Sequence, residues 1–244
     1  MKTIAFIPAR YAATRFPGKL MQKLGDKSII RHTYDNTVAT MLFDEVIVVT
    51  DSEIIFEEII QNDGYAFMSK RLHESGSDRI AEAVADIDVD LVVNVQGDEP
   101  FVKKALLHNL LKAFDNDPDQ QIKVASLMHS IKNEEIIENP NQVKVVVDKN
   151  KDALLFSRSV IPYRREKSIS PLYYKHIGIY AFRKSALLAF TSWEATPLEQ
   201  IEKLEQLRYL ENGVKIKMVI TDESPLSIDT PEDFEKAKKL LYLF

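Results

Sequence analysis

Short runs of apolar, β-branched residues, separated by segments of helical periodicity, constrain the fold of this 244-residue chain more than any other feature. The runs are TIAFIP (Thr3–Pro8), EVIVVT (Glu45–Thr50) and LVVNVQ (Leu91–Gln96). Such near-continuous runs are typical of parallel strands covered on both faces. The helical segments between and after them are Ser28–Met41, Glu53–Gly64 and Asp78–Ile87. This alternation predicts a doubly wound α/β fold.

The second half of the chain has a different pattern. VKVVVDKNKDALLFSR (Val143–Arg158) predicts a β-hairpin around a polar turn, and KHIGIYAF (Lys175–Phe182) predicts another strand. VKIKMVI (Val214–Ile220) alternates as an edge or half-exposed strand does. We therefore expect a mostly parallel, mixed sheet. No repeat or low-complexity linker interrupts the chain, so residues 1–244 are predicted to form a single domain.

The composition narrows the classes of partner. Lys plus Arg (32) against Asp plus Glu (37) gives a net charge of −5, so a broad nucleic-acid or anionic-lipid surface is not expected. The absence of cysteine excludes disulfides, thiolate zinc sites and a cysteine nucleophile. The first strand leaves no room for a signal peptide, and no apolar run approaches the roughly 18 residues that span a bilayer. We expect a cytoplasmic protein with neither nucleic-acid nor membrane partners.

Positive charge is concentrated directly after the first strand. In IPARYAATRFPGK, Arg10, Arg15 and Lys19 follow Pro8. Ligands of open α/β sheets bind beyond the carboxyl ends of the strands, and Arg and Lys suit phosphate oxygens. The Pro17-Gly18 turn can aim Lys19 back at that edge. A polyphosphate site is the hypothesis, and solvated loop cations are the alternative.

The segments PAR (Pro8–Arg10) and TRFPGK (Thr14–Lys19) resemble the "PAR…S/T-R-x-P-G-K" signature of nucleotidyltransferases that load acidic sugars onto CMP. Within that group the chain looks most like the 3-deoxy-manno-octulosonate (KDO) cytidylyltransferases, also called CMP-KDO synthetases. P-loop and dinucleotide-binding glycine motifs are absent. The resemblance implies a Rossmann-like fold of the nucleotide-diphospho-sugar transferase type. It also implies nucleotide contacts from Pro8, Ala9, Arg10, Arg15 and Lys19.

A second block, HESGSDRIAE (His73–Glu82), resembles the family's "H-x-S-G-T-D/E-R-x-A-E", with Ser77 where threonine is usual. By resemblance, Ser75 and Arg79 contact the nucleotide. The alternative is a plain helix start, because Ser75 and Asp78 have capping-box spacing.

VNVQGDEP (Val93–Pro100) ends a strand at the same predicted edge. Gly97 can let a ligand approach the backbone, and Asp98 lies where Mg²⁺, which prefers one or two carboxylates plus phosphates and waters, would meet a triphosphate. The resemblance adds Gln96 as a contact to nucleotide and sugar.

A distant carboxylate completes the expected metal site. SIDTPEDFEKA (Ser227–Ala237) resembles the family's "x-D-T-P-E-D", which implies that Asp229 holds Mg²⁺ together with Asp98. The alternative is a structural role beside the helix start, with Thr230 as N-cap and Pro231 in the first turn. Arg10, Arg15, Lys19, Asp98 and Asp229 form the catalytic set that the resemblance implies.

The sugar side of the site is expected in the second half. FSRSVIPYRR, KHIGIYAF and TPLEQIEKLEQLR (Thr196–Arg208) all resemble family motifs. An α-keto sugar acid carries a carboxylate beside its reacting centre, which Arg158, Arg165 and His176 can pair with. The register leaves Arg164 as the alternative to Arg165. The sugar hydroxyls would be read by Tyr180, Glu205 and Gln206.

The segment Thr196–Arg208 is predicted to be one helix. Its apolar stripe consists of Leu198, Ile201, Leu204 and Leu207. At about 100° per residue, Glu205 and Arg208 fall inside the apolar arc and Gln206 falls outside it. An ion pair between Glu205 and Arg208 is the alternative to a sugar-binding role.

The resemblance implies that the chain activates KDO with CTP, giving CMP-KDO and pyrophosphate for lipopolysaccharide biosynthesis, as a homodimer. Alternatives within the family are a CMP-sialic acid or an amino-KDO synthetase. A non-catalytic nucleotide-binding sensor is the alternative from another class.

Overall fold

The structure is a computed structural model that describes residues 1–12, 16–73, 75–115, 117–169, 171–223 and 225–241. The strands, in chain order, are β1 (Thr3–Ala9), β2 (Lys23–Leu24), β3 (Lys27–Ser28), β4 (Glu45–Thr50), β5 (Ala66–Met68), β6 (Leu91–Asn94), β7 (Val124–Ile131), β8 (Lys144–Val147), β9 (Ala153–Ser157), β10 (Tyr173–Arg183) and β11 (Ile216–Ile220). The α-helices are α1 (Ile29–Ala39), α2 (Glu53–Ile60), α3 (Gly76–Val84), α4 (Lys104–Lys112), α5 (Glu134–Glu138), α6 (Lys184–Ser192), α7 (Pro197–Glu202), α8 (Leu207–Glu211) and α9 (Pro231–Leu241).

The chain divides into two compact units. The first unit comprises Met1–His108 and Pro225–Phe244, and the second comprises Asn109–Ser224. The assignment of residues 1–244 to a single domain stays a prediction.

The first unit is built on parallel strands in the order β6–β1–β4–β5. All seven residues of β1 are buried, as its continuous apolar sequence predicts. Helices α1, α2 and α3 pack against these strands. Because the pairs are parallel, the carboxyl ends of β1, β4 and β6 meet at one edge, and the segment after Pro8 begins there.

The second unit has mixed strand pairing. Strand β7 lies between β10, which is antiparallel to it, and β11, which is parallel to it. The predicted hairpin is confirmed as the antiparallel pair β8–β9, and β8 also pairs with the start of β10. The mostly parallel, mixed α/β fold class is thus confirmed.

The helix termini follow local chemistry. Ser28 caps α1, where its side chain accepts a hydrogen bond from the Arg31 amide at 3.3 Å. Helix α2 ends at Ile60, before the predicted stop at Gly64, and Asp63 adopts a left-handed conformation with φ of 59°.

The single helix predicted over Thr196–Arg208 is wrong. The segment forms α7 and α8, separated by residues 203–206, of which Lys203 has a left-handed φ of 53°. The break changes the phase of the second helix, so the predicted apolar stripe does not exist. Ile201 is accordingly 78% exposed, whereas Leu204 and Leu207 are buried.

A buried ion pair joins the start of β7 to the end of β10. The Arg183 guanidinium donates to the Asp117 carboxylate at 3.0 Å, and the Gln121 and Ile122 amides donate to the same carboxylate at 2.7 and 2.9 Å. Burial alone would raise the pKa of Asp117, but these donors outweigh it and hold the pKa below 3.8.

We predict that Asp117→Ala destabilises the protein by about 3–5 kcal/mol, because Arg183 would keep a buried charge without its partner. Urea unfolding followed by circular dichroism measures the change. Asp119→Ala, at an exposed position nearby, is the control and should change stability by no more than about 0.5 kcal/mol. Equal effects of the two substitutions would contradict the role given to the ion pair.

Candidate functional site

Lys19 reaches the carboxyl edge of the first unit through a tight turn. Gly18 has a left-handed φ of 64° and precedes a short 3₁₀ helix that starts at Lys19. Glycine adopts this conformation without the steric cost that other residues meet. The turn predicted at Pro17-Gly18 is therefore present and directs Lys19 toward the ends of the strands.

Two carboxylates converge on the Lys19 ammonium group. Its Nζ lies 2.5 Å from Asp98 Oδ2 and 3.2 Å from Asp229 Oδ1. Burial acts to lower the pKa of Lys19, but Asp98 and then Asp229 outweigh it, so the pKa is raised above 10.5. Lys19 is thus a charged group that neutralises part of a carboxylate pair.

The position of Asp98 is set by close packing after β6. A side chain at Gly97 would lie 3.1 Å from the Pro8 carbonyl oxygen and 3.3 Å from Ile30 and Leu20. Thr33 Oγ1 also donates to the Gly97 carbonyl at 2.9 Å. Protein atoms therefore crowd this position, which favours glycine, and the approach of a ligand to its backbone stays a prediction.

A main-chain hydrogen bond brings Asp229 to Asp98. The Ile228 amide donates to the Asp98 carbonyl at 3.0 Å. The start of α9 is capped by Thr230, whose hydroxyl accepts from the Asp233 amide at 3.2 Å, as predicted. Thr230 therefore supplies the side-chain cap, and the Asp229 carboxylate contacts Lys19.

The other predicted nucleotide contacts have structural partners or lie apart from this cluster. Ser75 caps α3, accepting from the Asp78 amide at 3.1 Å, and the Arg79 side chain is buried against Asp51 at 2.7 Å. Pro8 and Ala9 are buried in β1, and Arg10 is exposed just beyond it. Gln96 Nε2 donates to Asn94 at 3.2 Å. Arg15 lies outside the described residues.

In the second unit the structure brings His176 and Tyr180 together. Their rings lie 5.4 Å apart on β10, and Phe156 packs edge-on to His176 at 5.0 Å. Burial, and next the charge of Lys175, lower the pKa of His176 from 6.5 to about 3. The ring is therefore neutral near pH 7, and the contact between His176 and a sugar carboxylate stays a prediction.

Ser126 on β7 is the hydrogen-bond partner of the His176 ring. Ser126 Oγ lies 2.9 Å from His176 Nε2 and 2.9 Å from the Ile179 carbonyl oxygen. A neutral imidazole has one donor and one acceptor nitrogen. His176 is therefore suited to form a hydrogen bond with a hydroxyl group.

Arg158 is half-buried, and its guanidinium contacts main-chain carbonyls. Nε donates to the Glu202 carbonyl at 2.7 Å and Nη1 to the Pro140 carbonyl at 3.1 Å. Arg164 and Arg165 are both exposed in the segment before β10, so the geometry does not choose between them.

The burial of Glu205 and Gln206 is opposite to the prediction from a single helix. Glu205 is exposed, while Gln206 is 6% exposed. Arg208 forms a buried ion pair with Glu199, in which its Nε and Nη2 donate to the carboxylate at 2.7 and 2.5 Å. Glu205 lies close enough to Tyr180 for its charge to raise, after burial, the pKa of that phenol.

A parallel sheet whose carboxyl edge presents a lysine between two carboxylates is suited to phosphoryl chemistry, and the fold and cluster together define a nucleotidyltransferase. The sequence model of the cytidylyltransferase family matches residues 4–216. Proteins named 3-deoxy-manno-octulosonate cytidylyltransferase match along the whole chain: one from Flavobacterium johnsoniae is 62% identical, covering 99% of each chain, and one from Christiangramia forsetii is 56% identical, covering 98% of this chain and 97% of its own. The chain belongs to this family, which confirms the resemblance of its motifs.

Solved structures agree with the fold. A CMP:2-keto-3-deoxy-manno-octonic acid synthetase complexed with CTP has a TM-score of 0.93 and 36% identity, covering 100% of this chain and 99% of its own. A 4-diphosphocytidyl-2C-methyl-D-erythritol synthase from Anaerococcus prevotii, 19% identical with a TM-score of 0.65 and 99% coverage of both chains, shares the fold. Among the helices in the described part of the chain, none is long and apolar enough to cross a membrane.

The neutral His176 predicts a measurable acid sensitivity. Its pKa of about 3 lies below the ordinary 6.5, so the unfolded chain binds the proton more readily and stability falls as the pH drops from about 6.5 towards 3. His176→Asn should show a smaller loss of unfolding free energy between pH 7 and pH 4.5 than the wild type, by urea denaturation. His108→Asn, at an exposed position, should match the wild type. An unchanged pH dependence in His176→Asn would contradict the buried neutral ring.

Proposed function

We propose that this protein transfers CMP from CTP to KDO, releasing pyrophosphate and forming CMP-KDO. The observation that carries the proposal is the convergence of Lys19, Asp98 and Asp229 beyond the carboxyl ends of the parallel strands. The relatives along the full chain support the same activity.

The reaction is an in-line displacement. The anomeric hydroxyl oxygen of the sugar forms a bond to the α-phosphorus of CTP, the bond from that phosphorus to the oxygen of the β-phosphate breaks, and pyrophosphate leaves. Such transfer depends mainly on positioning and charge neutralisation. Arg10, Arg15 and Lys19 would bind the triphosphate and the leaving pyrophosphate.

The carboxylate pair fits Mg²⁺ held jointly with a phosphate. In the part of the chain that the structure describes, no group of three or more His, Cys, Asp or Glu residues is arranged to hold a metal. Asp98 and Asp229 alone would hold Mg²⁺, and phosphate oxygens and waters would complete its ligands. When bound, the ion would neutralise phosphate charge and lower the pKa of the sugar hydroxyl. With the hydroxyl activated in this way, no dedicated protein base is needed. In the alternative, Asp98 acts as the base that accepts the hydroxyl proton.

On the sugar side, charge and hydrogen bonding divide between different residues. Arg158 and Arg165 would bind the carboxylate, since both remain charged. The neutral His176 would form a hydrogen bond with a sugar hydroxyl. The remaining contacts to hydroxyl groups would come from Gln96, Tyr180, Glu205 and Gln206.

The direct test is pyrophosphate release from CTP and Mg²⁺ with KDO, 8-amino-KDO, N-acetylneuraminate and a hexose 1-phosphate. We expect release with KDO. Release with only another sugar acid would change the assigned substrate to that acid, within the same family. Binding of CTP without release for any of them would overturn the enzymatic proposal in favour of a nucleotide sensor.

We predict that Asp98→Asn lowers kcat by a factor on the order of 10²–10³, the usual cost of losing one charge-stabilising group at a transition state. Steady-state kinetics and thermal denaturation separate catalysis from folding. Asp152→Asn is the control, because Asp152 also pairs with lysines, Lys215 and Lys217, but belongs to neither predicted site. Near wild-type turnover of Asp98→Asn would contradict the assignment.

A homodimer and a cytoplasmic location are also part of the proposal, on the resemblance to the family. Light scattering coupled to size-exclusion chromatography measures the mass in solution. A mass near 27.9 kDa at micromolar concentration would contradict the dimer.

A further inference from the structure

Strand β8 contains a lysine, a residue type that is mostly exposed in proteins, and the structure places its side chain in the interior. Lys144 has no exposed surface. Its Nζ donates to the Arg158 carbonyl at 2.7 Å and to the Asn139 carbonyl at 3.0 Å. Burying an ammonium group costs free energy, so we expect its hydrogen bonds to main-chain carbonyls to have a specific role.

The contacts of Lys144 hold the main chain of a predicted sugar-binding residue. Arg158 is fixed from the other side by Glu202, whose carboxylate accepts from the Arg158 amide at 3.0 Å and from Ser157 Oγ at 2.6 Å. Asn139 and Pro140 are adjacent, and their carbonyls accept from Lys144 and Arg158 respectively. Lys144 and Glu202 together form a charged frame around the Arg158 backbone.

The frame leaves the guanidinium ready for a carboxylate. Of its five N–H donors, three point at the carbonyls of Glu202, Pro140 and, at 3.5 Å, Lys203. Among the residues that the structure describes, one donor then remains on each terminal nitrogen, and these two donors form the paired edge that binds a carboxylate through two hydrogen bonds. A fork fixed in this way loses little side-chain entropy on binding.

The charges of Lys144, Arg158 and Glu202 together favour the binding of an anion. Lys144 and Arg158 carry two positive charges against the single negative charge of Glu202. Burial, and next Arg158, lower the pKa of Lys144, while Glu202 opposes them. An anion that neutralises Arg158 would relieve the repulsion between the two cations.

We propose that Lys144 is a positioning residue for the sugar acid, which holds Arg158 so that its free edge receives the substrate carboxylate. The inference deepens the proposed function and rests on it, because it assumes that an acidic sugar binds at Arg158. Lys144 itself does not touch the substrate. Its effect is transmitted through the carbonyl of Arg158.

The test is a double-mutant cycle on substrate binding. The dissociation constant of KDO is measured by calorimetry with CTP present and no added metal, for wild type, Lys144→Met, Arg158→Ala and the double variant. We expect Lys144→Met to weaken KDO binding about tenfold and to leave CTP binding unchanged. In the Arg158→Ala background, the same substitution should change KDO binding by less than about twofold, because the two residues act together.

Lys217→Met is the matched control. Lys217 also donates to a main-chain carbonyl, that of Asn150 at 2.7 Å, but it lies on β11 and has no contact with Arg158 in the described residues. It should leave KDO binding unchanged. If Lys144→Met does not fold, Glu202→Gln tests the same frame, because it keeps the shape and removes the charge.

The outcomes separate this inference from the proposed function. KDO binding within twofold of wild type in Lys144→Met, or effects that multiply in the double variant, would overturn the positioning role. KDO binding without pyrophosphate release would overturn the proposed activity. The double-mutant cycle would still measure the coupling between Lys144 and Arg158. Absence of KDO binding to the wild type would overturn both.

Discussion

The candidate nucleotide site depends on the ammonium group of Lys19 between the carboxylates of Asp98 and Asp229. Two carboxylates that share one site repel each other, and a cation between them removes most of that cost. The hydrogen bond from Ile228 to the Asp98 carbonyl ties the two segments together independently of charge. The main chain thus places the carboxylates, and Lys19 makes their proximity tolerable before any ligand arrives.

In the second unit, a buried ion pair likewise fixes the segments that carry predicted site residues. The ion pair between Arg208 and Glu199 fixes α8 against α7 on either side of the break at Lys203. The Arg208 guanidinium also lies over the ring of Phe190 at 4.1 Å. Gln206 and Glu205 lie on this braced turn. The predicted sugar residues are therefore carried by segments whose positions are set by charged groups that the substrate need not touch.

Most of the fold was predictable because buried strands have continuous apolar sequences. The apolar runs of β1, β4 and β6 and the cap at Thr230 were confirmed. Strand β7 was not indicated, since its buried Ser126 interrupts the apolar pattern and is satisfied by carbonyls on β10.

The features of the site that the sequence did not indicate depend on tertiary context. The phase of α8 depends on one left-handed residue, Lys203, whose conformation no periodicity indicates. The burial of Lys144 and the neutral state of His176 depend on partners distant in sequence. Resemblance identified the residue types of the site, whereas the partners of Arg158 and Arg79 required the structure.

Lys19, Asp98 and Asp229 would together form the triphosphate site. The most direct measurement is a crystal structure with CTP and Mg²⁺. We predict that the Lys19 ammonium leaves the carboxylates and contacts phosphate oxygens, with the metal between Asp98 and Asp229. Phosphates bound elsewhere, with the Lys19 ion pairs unchanged, would contradict the account.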